Sequence, residues 1–321
     1  RDSAADDFGH GTHVAGIIGA LGNNGIGIAG LNWKVNLISV KALDKNGSGY
    51  LSNVIDALDY VTSLINKGIK IRVVNLSLES YFPLKPTHDE LVSFPLWRAF
   101  KNLDVLNKAV IVVAAGNYSE TIGKPSSRAH GLVQSAGCYV YPPSFKGLYG
   151  MISVSALDKS GSIASFSNKG ADISAPGVDI YSTWIQDKSS DTPTIRKSTG
   201  TSMAAPYISG LSALIASIMP NNTTAYQIKQ ILLEGANASM TASESGSPNI
   251  RAALEYIENN ASKIPAKSSK WAEYDDYNSY ESGSSGEFYD YGEEDSGTCN
   301  GGSFDFFTLI FLFTLVKKSS T

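Results

Sequence analysis

Three polar residues stand where acyl-transfer chemistry can be built: His10, Asn117 and Ser202. Ser202 lies in Gly200-Thr201-Ser202-Met203-Ala204-Ala205-Pro206, a glycine turn that runs directly into the apolar, small-residue stretch Tyr207 to Met219. At such a loop-to-helix junction the first backbone N–H groups lack intrahelical partners and the helix dipole favours negative charge. Peptide acyl transfer needs a nucleophile, a base to take its proton, an orienting acid and donors aimed at the developing oxyanion. Ser202 can be the nucleophile and His10, in Gly9-His10-Gly11-Thr12-His13, the base. Asn117, in Ala114-Ala115-Gly116-Asn117, can join the Ser202 N–H as an oxyanion donor. Each alone has a plainer reading: Ser202 as a helix cap, His10 as a surface or capped histidine, and Asn117 as a turn residue after glycine. Their order, flanks and placement at strand ends together favour the chemistry.

The elements that must hold these residues follow from hydrophobic periodicity. A helix begins at Gly9-His10 and buries Val14, Ile17, Ile18 and Leu21. Strands are expected over 35–43, 71–78, 109–115 and 151–157, and helices over 51–66, 96–107, 224–234 and 249–259, with short alternating pieces over 163–183. Strand and helix alternating through short connections means an α/β fold, a mostly parallel sheet with helices on both faces. In such sheets active sites lie at the carboxyl ends of the strands. Asn117 and Leu78-Glu79-Ser80 both fall just past strand ends, so the candidate chemistry collects on one edge.

The 321 residues carry a formal charge of −4, but this is unevenly spread. Residues 271–298 hold nine Asp or Glu and no Lys or Arg, which leaves the part before them mildly positive and without a basic stripe that would suit nucleic acid. Cys138 and Cys299 are far apart in unlike contexts and indicate no disulfide framework. The expected organisation is a catalytic domain over 1–261, an acidic flexible linker over 262–300 that cannot bury enough surface to order itself, and a hydrophobic tail over 301–321. In the tail, Gly301-Gly302 precede the apolar run Phe304 to Val316 and then Lys317-Lys318. Basic residues after an apolar run stay cytoplasmic, which places the domain outside the inner membrane. The pattern resembles the Gly-Gly C-terminal sorting tails of some Gram-negative bacteria, so a membrane or a sorting protease is the expected partner of the tail, and the protein is expected to be secreted or associated with the cell envelope.

Together the segments around His10, Asn117 and Ser202 resemble the subtilisin family of serine endopeptidases, peptidase family S8. The likeness runs from His10 to about Asn259 and also covers Val40-Lys41-Ala42-Leu43, Asn75-Leu76-Ser77-Leu78, Ser165-Phe166-Ser167 and Ala175-Pro176-Gly177. It implies a subtilisin-like three-layer fold, with His10 rather than His13 as base. It also implies an orienting aspartate in an Asp-Thr-Gly or Asp-Ser-Gly segment some tens of residues before the histidine. Only nine residues precede His10; Asp2-Ser3 is followed by Ala4 rather than glycine, and Asp6 and Asp7 belong to the acidic flank. An N-terminally truncated sequence, an inactive relative or an unusual acid would each explain this. Truncation is the preferred expectation, because the chain has neither an initiator Met nor a central strand before His10, so the catalytic Asp is expected upstream of residue 1.

By the same resemblance a peptide substrate lies as an added strand between Ser48-Gly49 and Ser77-Leu78-Glu79, with Ala115 and Gly116 beside it. Two departures bear on specificity. Val140 is expected at the base of the primary pocket, favouring small or medium side chains, and Glu79 replaces the family's usual glycine, favouring a basic residue. Leu21, Asn24, Ile26 and Ile28 resemble the family's structural Ca²⁺ loop, whose hard oxygen donors suit that ion; a plain Gly/Asn loop is the alternative. A propeptide or inhibitor is a further expected partner. The competing functional class is a catalytically inactive surface protein that keeps the fold as a binding module.

Overall fold

A computed structural model of the protein describes residues 5–126, 137–185, 194–236, 246–260, 263–266, 303–304 and 310–314. The first half of the chain contributes α1 (His10–Gly19), β1 (Asn36–Val40), β2 (Gly49–Tyr50), α2 (Leu51–Asn66), β3 (Val73–Leu76), β4 (Ser80–Phe82), α3 (His88–Ser93), α4 (Pro95–Asp104) and β5 (Val110–Ala114). The second half adds β6 (Tyr139–Tyr141), β7 (Met151–Leu157), β8 (Ile173–Pro176), β9 (Ile180–Thr183), β10 (Ile195–Ser198), α5 (Thr201–Ile218), α6 (Ala225–Glu234), α7 (Ile250–Asn260), β11 (Ser303–Phe304) and β12 (Ile310–Thr314).

The central sheet has the order β1-β12-β3-β5-β7-β8. From β3 to β8 every neighbouring pair is parallel, as the unbroken apolar runs require when a strand is buried on both faces. Side chains alternate between two cores. Val73, Val110, Val112, Ala114, Ile152 and Val154 point to the side of α1 and α5. Val74, Leu76, Ile111 and Val113 point to the side of α2 and α4. Fully burying one such Val or Ile contributes about 1.5–3 kcal/mol, and this two-sided pattern is what makes the architecture three layers, helix on sheet on helix. Helix α5 crosses β3, β5, β7 and β8 and packs on α1. It is long and apolar enough to cross a membrane by composition, but lies mostly buried in the centre of the domain, and its small residues are the reason. A Cβ at Gly210 would sit 3.0 Å from Leu31 Cβ, so the loop after α1 rests directly on the helix.

Several details differ from the sequence reading. Helix α1 stops at Gly19, and Leu21 lies beyond it, 64% exposed rather than on the buried face; Gly30 N–H bonds Ala20 O and the chain turns away there. Residues 263–266 dock on the domain instead of opening the linker: Ile264 joins the core, and the carbonyls of Ile264 and Ala266 accept from Gln227, Asn107 and Thr224. Residues 303–304 and 310–314, read as part of a separate tail, pair with the domain. β11 runs antiparallel to β2, and β12 is antiparallel to both β1 and β3, where it satisfies backbone groups on two strand edges that face each other. Cys138 is fully buried and disulfide-bonded, which the spacing of the two cysteines gave no reason to expect. The remaining expected linker and tail residues lie outside the described residues.

Candidate active site

Helix α1 presents His10 because its N-terminus is capped by a side chain four residues away. Asp6 accepts from the Phe8, Gly9 and Thr12 N–H groups at 3.0, 2.8 and 2.7 Å and from Thr12 Oγ1 at 2.7 Å. Burial pushes the Asp6 carboxyl up, but these bonds outweigh it and hold the group below its ordinary value. Asp7 pairs instead with Lys41. Gly9 turns the chain into the helix at φ 99°, and a Cβ there would lie 2.3 Å from the Trp184 indole. His10 follows at the first helical position, 4% exposed. Burial, helped by the like charge of His13 and opposed by Asp6, pushes it down to about 3. His13 is on the inner side, its Nε2 3.1 and 3.0 Å from the Ile180 and Arg196 carbonyls, and serves to join α1 to the β9–β10 hairpin.

Ser202 stands in the first turn of α5, 7% exposed. Four residues on, Pro206 has no N–H to offer the Ser202 carbonyl, so the helix leaves that acceptor open. Ser77 fills it: its hydroxyl donates to Ser202 O at 2.9 Å, and Ser202 Oγ lies 3.4 Å from Ser77 O. Asn75 extends the link by donating to Ser77 Oγ at 3.0 Å and accepting from Ser209 Oγ at 2.7 Å. The end of β3 and the start of α5 are therefore fixed to each other through fully buried polar groups.

Thr201 orients Asn117. Its N–H and hydroxyl both donate to Asn117 Oδ1, at 2.8 and 3.1 Å, and the hydroxyl also accepts the Gly116 N–H at 3.1 Å. An oxygen held by a backbone N–H fixes which end of the amide is which, so Asn117 Nδ2 points the other way. There it meets Glu79 Oε1 at 3.5 Å, and the Asn117 N–H meets the same oxygen at 3.3 Å. Burial pushes Glu79 up to about 7 against these two bonds. Asn168, which sequence reasoning passed over, holds the loop from the other side: it donates to Ala115 O at 2.9 Å and accepts from the Tyr118 and Glu120 N–H groups. Its only signal in the sequence is its place directly after Ser165-Phe166-Ser167.

His10, Asn117, Ser202 and Glu79 line one open cavity of about 580 Å³, closed on its flanks by Phe166 and Trp184. A hydroxyl, an imidazole and a carboxamide from α5, α1 and the loop after β5 thus share one space. The other expected residues are placed differently. Ser77 and Leu78 are buried beneath this cavity, and Ala115 and Gly116 form the turn that carries Asn117. Ser48 and Gly49 do not line it, and the edge of β2 expected to meet substrate is paired with β11. Val140, expected at the pocket base, is packed with Tyr81 and Cys138 between β4 and β6 and is also absent from the cavity wall. In the loop after α1, Asn24 accepts from the Ile26 N–H at 3.1 Å, and Leu21 and Ile26 are exposed. Its amide and carbonyl oxygens are donors that fit a hard cation, and among the described residues no group of three or more His, Cys, Asp or Glu offers another site.

Known proteins similar to this chain are serine proteinases of one family. The Subtilase family model, Peptidase_S8, matches residues 1–264. The chain is 34% identical over 232 residues to the thermophilic serine proteinase of Bacillus sp. (strain AK1), covering 71% of this chain and 47% of that one. It is 34% identical over 221 residues to Subtilisin Savinase of Lederbergia lenta, covering 68% and 67%. Among solved structures, a cold adapted subtilisin-like serine proteinase superposes with a TM-score of 0.58 at 28% identity, over 76% of this chain and 74% of that one. The chain spans about half the length of the first curated relatives it matches.

Proposed function

Given that the chain belongs to the subtilase family, we propose that it is a serine endopeptidase hydrolysing peptide bonds in protein substrates, with Ser202 as nucleophile, His10 as base, and Asn117 Nδ2 with the Ser202 N–H as oxyanion donors. The observation that carries this reading is the pinning of Asn117 Oδ1 by Thr201, which turns the amide N–H toward the cavity shared by Ser202 and His10. Ser202 Oγ attacks the scissile carbonyl as His10 takes its proton. The tetrahedral oxyanion is held by the two N–H donors, and His10 then returns the proton to the leaving amine.

The orienting acid is proposed to come from outside residues 1–321. Both oxygens of Asp6 are engaged at the cap of α1 and Asp7 is paired with Lys41. A base held near 3 is too weak to deprotonate serine at neutral pH, and a carboxylate at its other ring nitrogen is the group that would raise it. The same observation favours the second reading, a binding module without catalysis. Expression of the chain with its upstream coding region separates the two: casein hydrolysis that is abolished by a serine-directed inhibitor and by Ser202→Ala is expected, and an inert protein refutes the enzyme reading. Export suits the reading, because a disulfide-bonded Cys138 persists in an oxidising compartment. Envelope sorting through 301–321, which requires β11 and β12 to be withdrawn from β2, β1 and β3, and control by a propeptide or inhibitor belong to the same proposal. So does a structural Ca²⁺ held by Asn24 and the carbonyls of Leu21, Ile26 and Ile28; an unchanged melting temperature on chelation would remove it.

A further inference from the structure

Glu79 is a buried acid in the cavity wall whose chemistry the reaction itself does not use. It lies between β3 and β4, 6% exposed. Its Oε1 faces the Asn117 backbone and side-chain N–H groups, while its Oε2 is buried without a hydrogen-bond partner. The room for that oxygen is made by a missing side chain: a Cβ at Gly116 would fall 2.2 Å from Glu79 Oε2. A buried carboxylate oxygen with no donor is costly, and a cationic ligand would supply the missing partner. No cation of the described residues answers it. The two cations across the cavity are already occupied: Arg196 lies over the Trp184 ring at 4.4 Å, and Lys197 pairs with Asp179 at 3.1 Å.

We infer that Glu79 is the specificity-determining residue of this site and that it selects lysine or arginine as the residue that supplies the scissile carbonyl. The inference rests on the proposed reaction, which fixes that carbonyl between Ser202 Oγ and Asn117 Nδ2. The side chain next to it then lies beside Glu79, which touches Asn117 itself, and an extended ammonium or guanidinium reaches the orphaned Oε2. A charge-assisted pair forms there out of solvent. It has a second effect, because Glu79 Oε1 draws on the Asn117 side-chain amide that the oxyanion also uses. A cation that draws the carboxylate to itself frees the donor, so preference appears in kcat as well as KM.

The test uses the chain with its upstream coding region and fluorogenic peptides differing only in the residue before the scissile bond: lysine, arginine, norleucine or phenylalanine. Norleucine has the length of lysine without the charge. Lysine and arginine are expected to exceed norleucine by about tenfold to a hundredfold in kcat/KM, with part of the gain in kcat, and Glu79→Gln is expected to collapse that ratio toward one. Equal cleavage after norleucine and lysine, or a ratio unchanged in Glu79→Gln, overturns the inference. If no peptide is cleaved the proposed reaction has failed, and the pocket is then read by calorimetric titration with benzamidine. Binding weakened tenfold or more by Glu79→Gln supports the inference, and binding that is absent or equal in the two proteins overturns it.

Discussion

Replacing Thr201 by valine tests whether the oxyanion donor is held by the contacts described above. Valine fills the same space, so the fully buried site is neither emptied nor overpacked. Two interactions are lost: the hydroxyl's bond to Asn117 Oδ1 at 3.1 Å and its acceptance of the Gly116 N–H at 3.1 Å. The Gly116 N–H is left in the interior without that partner, at a cost to stability of about 1–3 kcal/mol. The Asn117 amide keeps the Thr201 N–H at 2.8 Å, so it loses one of two anchors and is loosened rather than released. Removing such a donor altogether costs about a hundredfold to a thousandfold in kcat, a range taken from subtilisin itself and not worked from these distances. A loosened donor is expected to cost less, about tenfold in kcat with KM nearly unchanged, because the donor acts on the transition state rather than the bound substrate. Steady-state kinetics and urea denaturation of Thr201→Val, Thr201→Ser and Asn117→Ala, all in the chain with its upstream coding region, read both quantities. Thr201→Ser keeps the hydroxyl and should recover most of the rate. If Thr201→Val matches Thr201→Ser in kcat while Asn117→Ala is crippled, the hydroxyl does not orient the amide.

Other consequences follow from the same network. Gly116→Ala places a Cβ 2.2 Å from Glu79 Oε2 and 2.3 Å from Asn168 Nδ2 at a φ of 106°; a loss of at least about 2 kcal/mol by denaturant titration is expected. Glu79, raised from 4.5 to about 7 by burial, is protonated in the folded state and ionised in the unfolded state between those values. Stability from this group is therefore largest at or below pH 4.5 and declines as pH rises toward 7, so the stability of wild type relative to Glu79→Gln should fall across that window. Asp172 shows the opposite sign. Burial pushes it up, but Lys229 at 3.5 Å and the Ser153 N–H and hydroxyl at 2.7 and 2.8 Å outweigh this and hold it below 3.8. Its contribution is present above the ordinary carboxylate value and lost as pH falls through the folded one, so Asp172→Asn should be less stable than wild type at pH 7 and nearly equal to it in strong acid.

What the sequence disclosed depended on whether a residue's role is set by its own neighbours along the chain. α2, read over 51–66, and β7, read over 151–157, have the bounds found, because periodicity fixes an element whose whole length is covered by one core face. His10, Asn117 and Ser202 were legible because a helix start or a strand end immediately beside each one determines where it points. Thr201, Asn168 and the packing of Glu79 on Gly116 were not, since each acts on a partner 37 to 85 residues away. The pairing of 303–304 and 310–314 was hidden for a related reason. An apolar run after an acidic segment has no local mark that distinguishes a membrane-directed tail from a strand, and only the facing edges of β1 and β3 decide where it goes.

Pro206 shows how a local defect becomes a tertiary constraint. In a helix interior it costs a backbone bond and leaves the carbonyl four residues earlier unanswered, and here that carbonyl belongs to Ser202. Because the interior does not tolerate an open acceptor, the end of β3 must come close enough for Ser77 to donate to it, and that contact brings Glu79 to the edge of the cavity. Ser209, about two turns beyond Ser202 along α5, donates to Asn75 Oδ1 in the same register, so the strand cannot slide along the helix without breaking two buried links. The positions of Ser202, the proposed nucleophile, and of Glu79, the proposed specificity residue, are thereby coupled. A substitution such as Ser77→Ala removes no group that touches substrate, yet it should alter the preference between lysine and norleucine as well as the rate, because it frees the strand that carries Glu79.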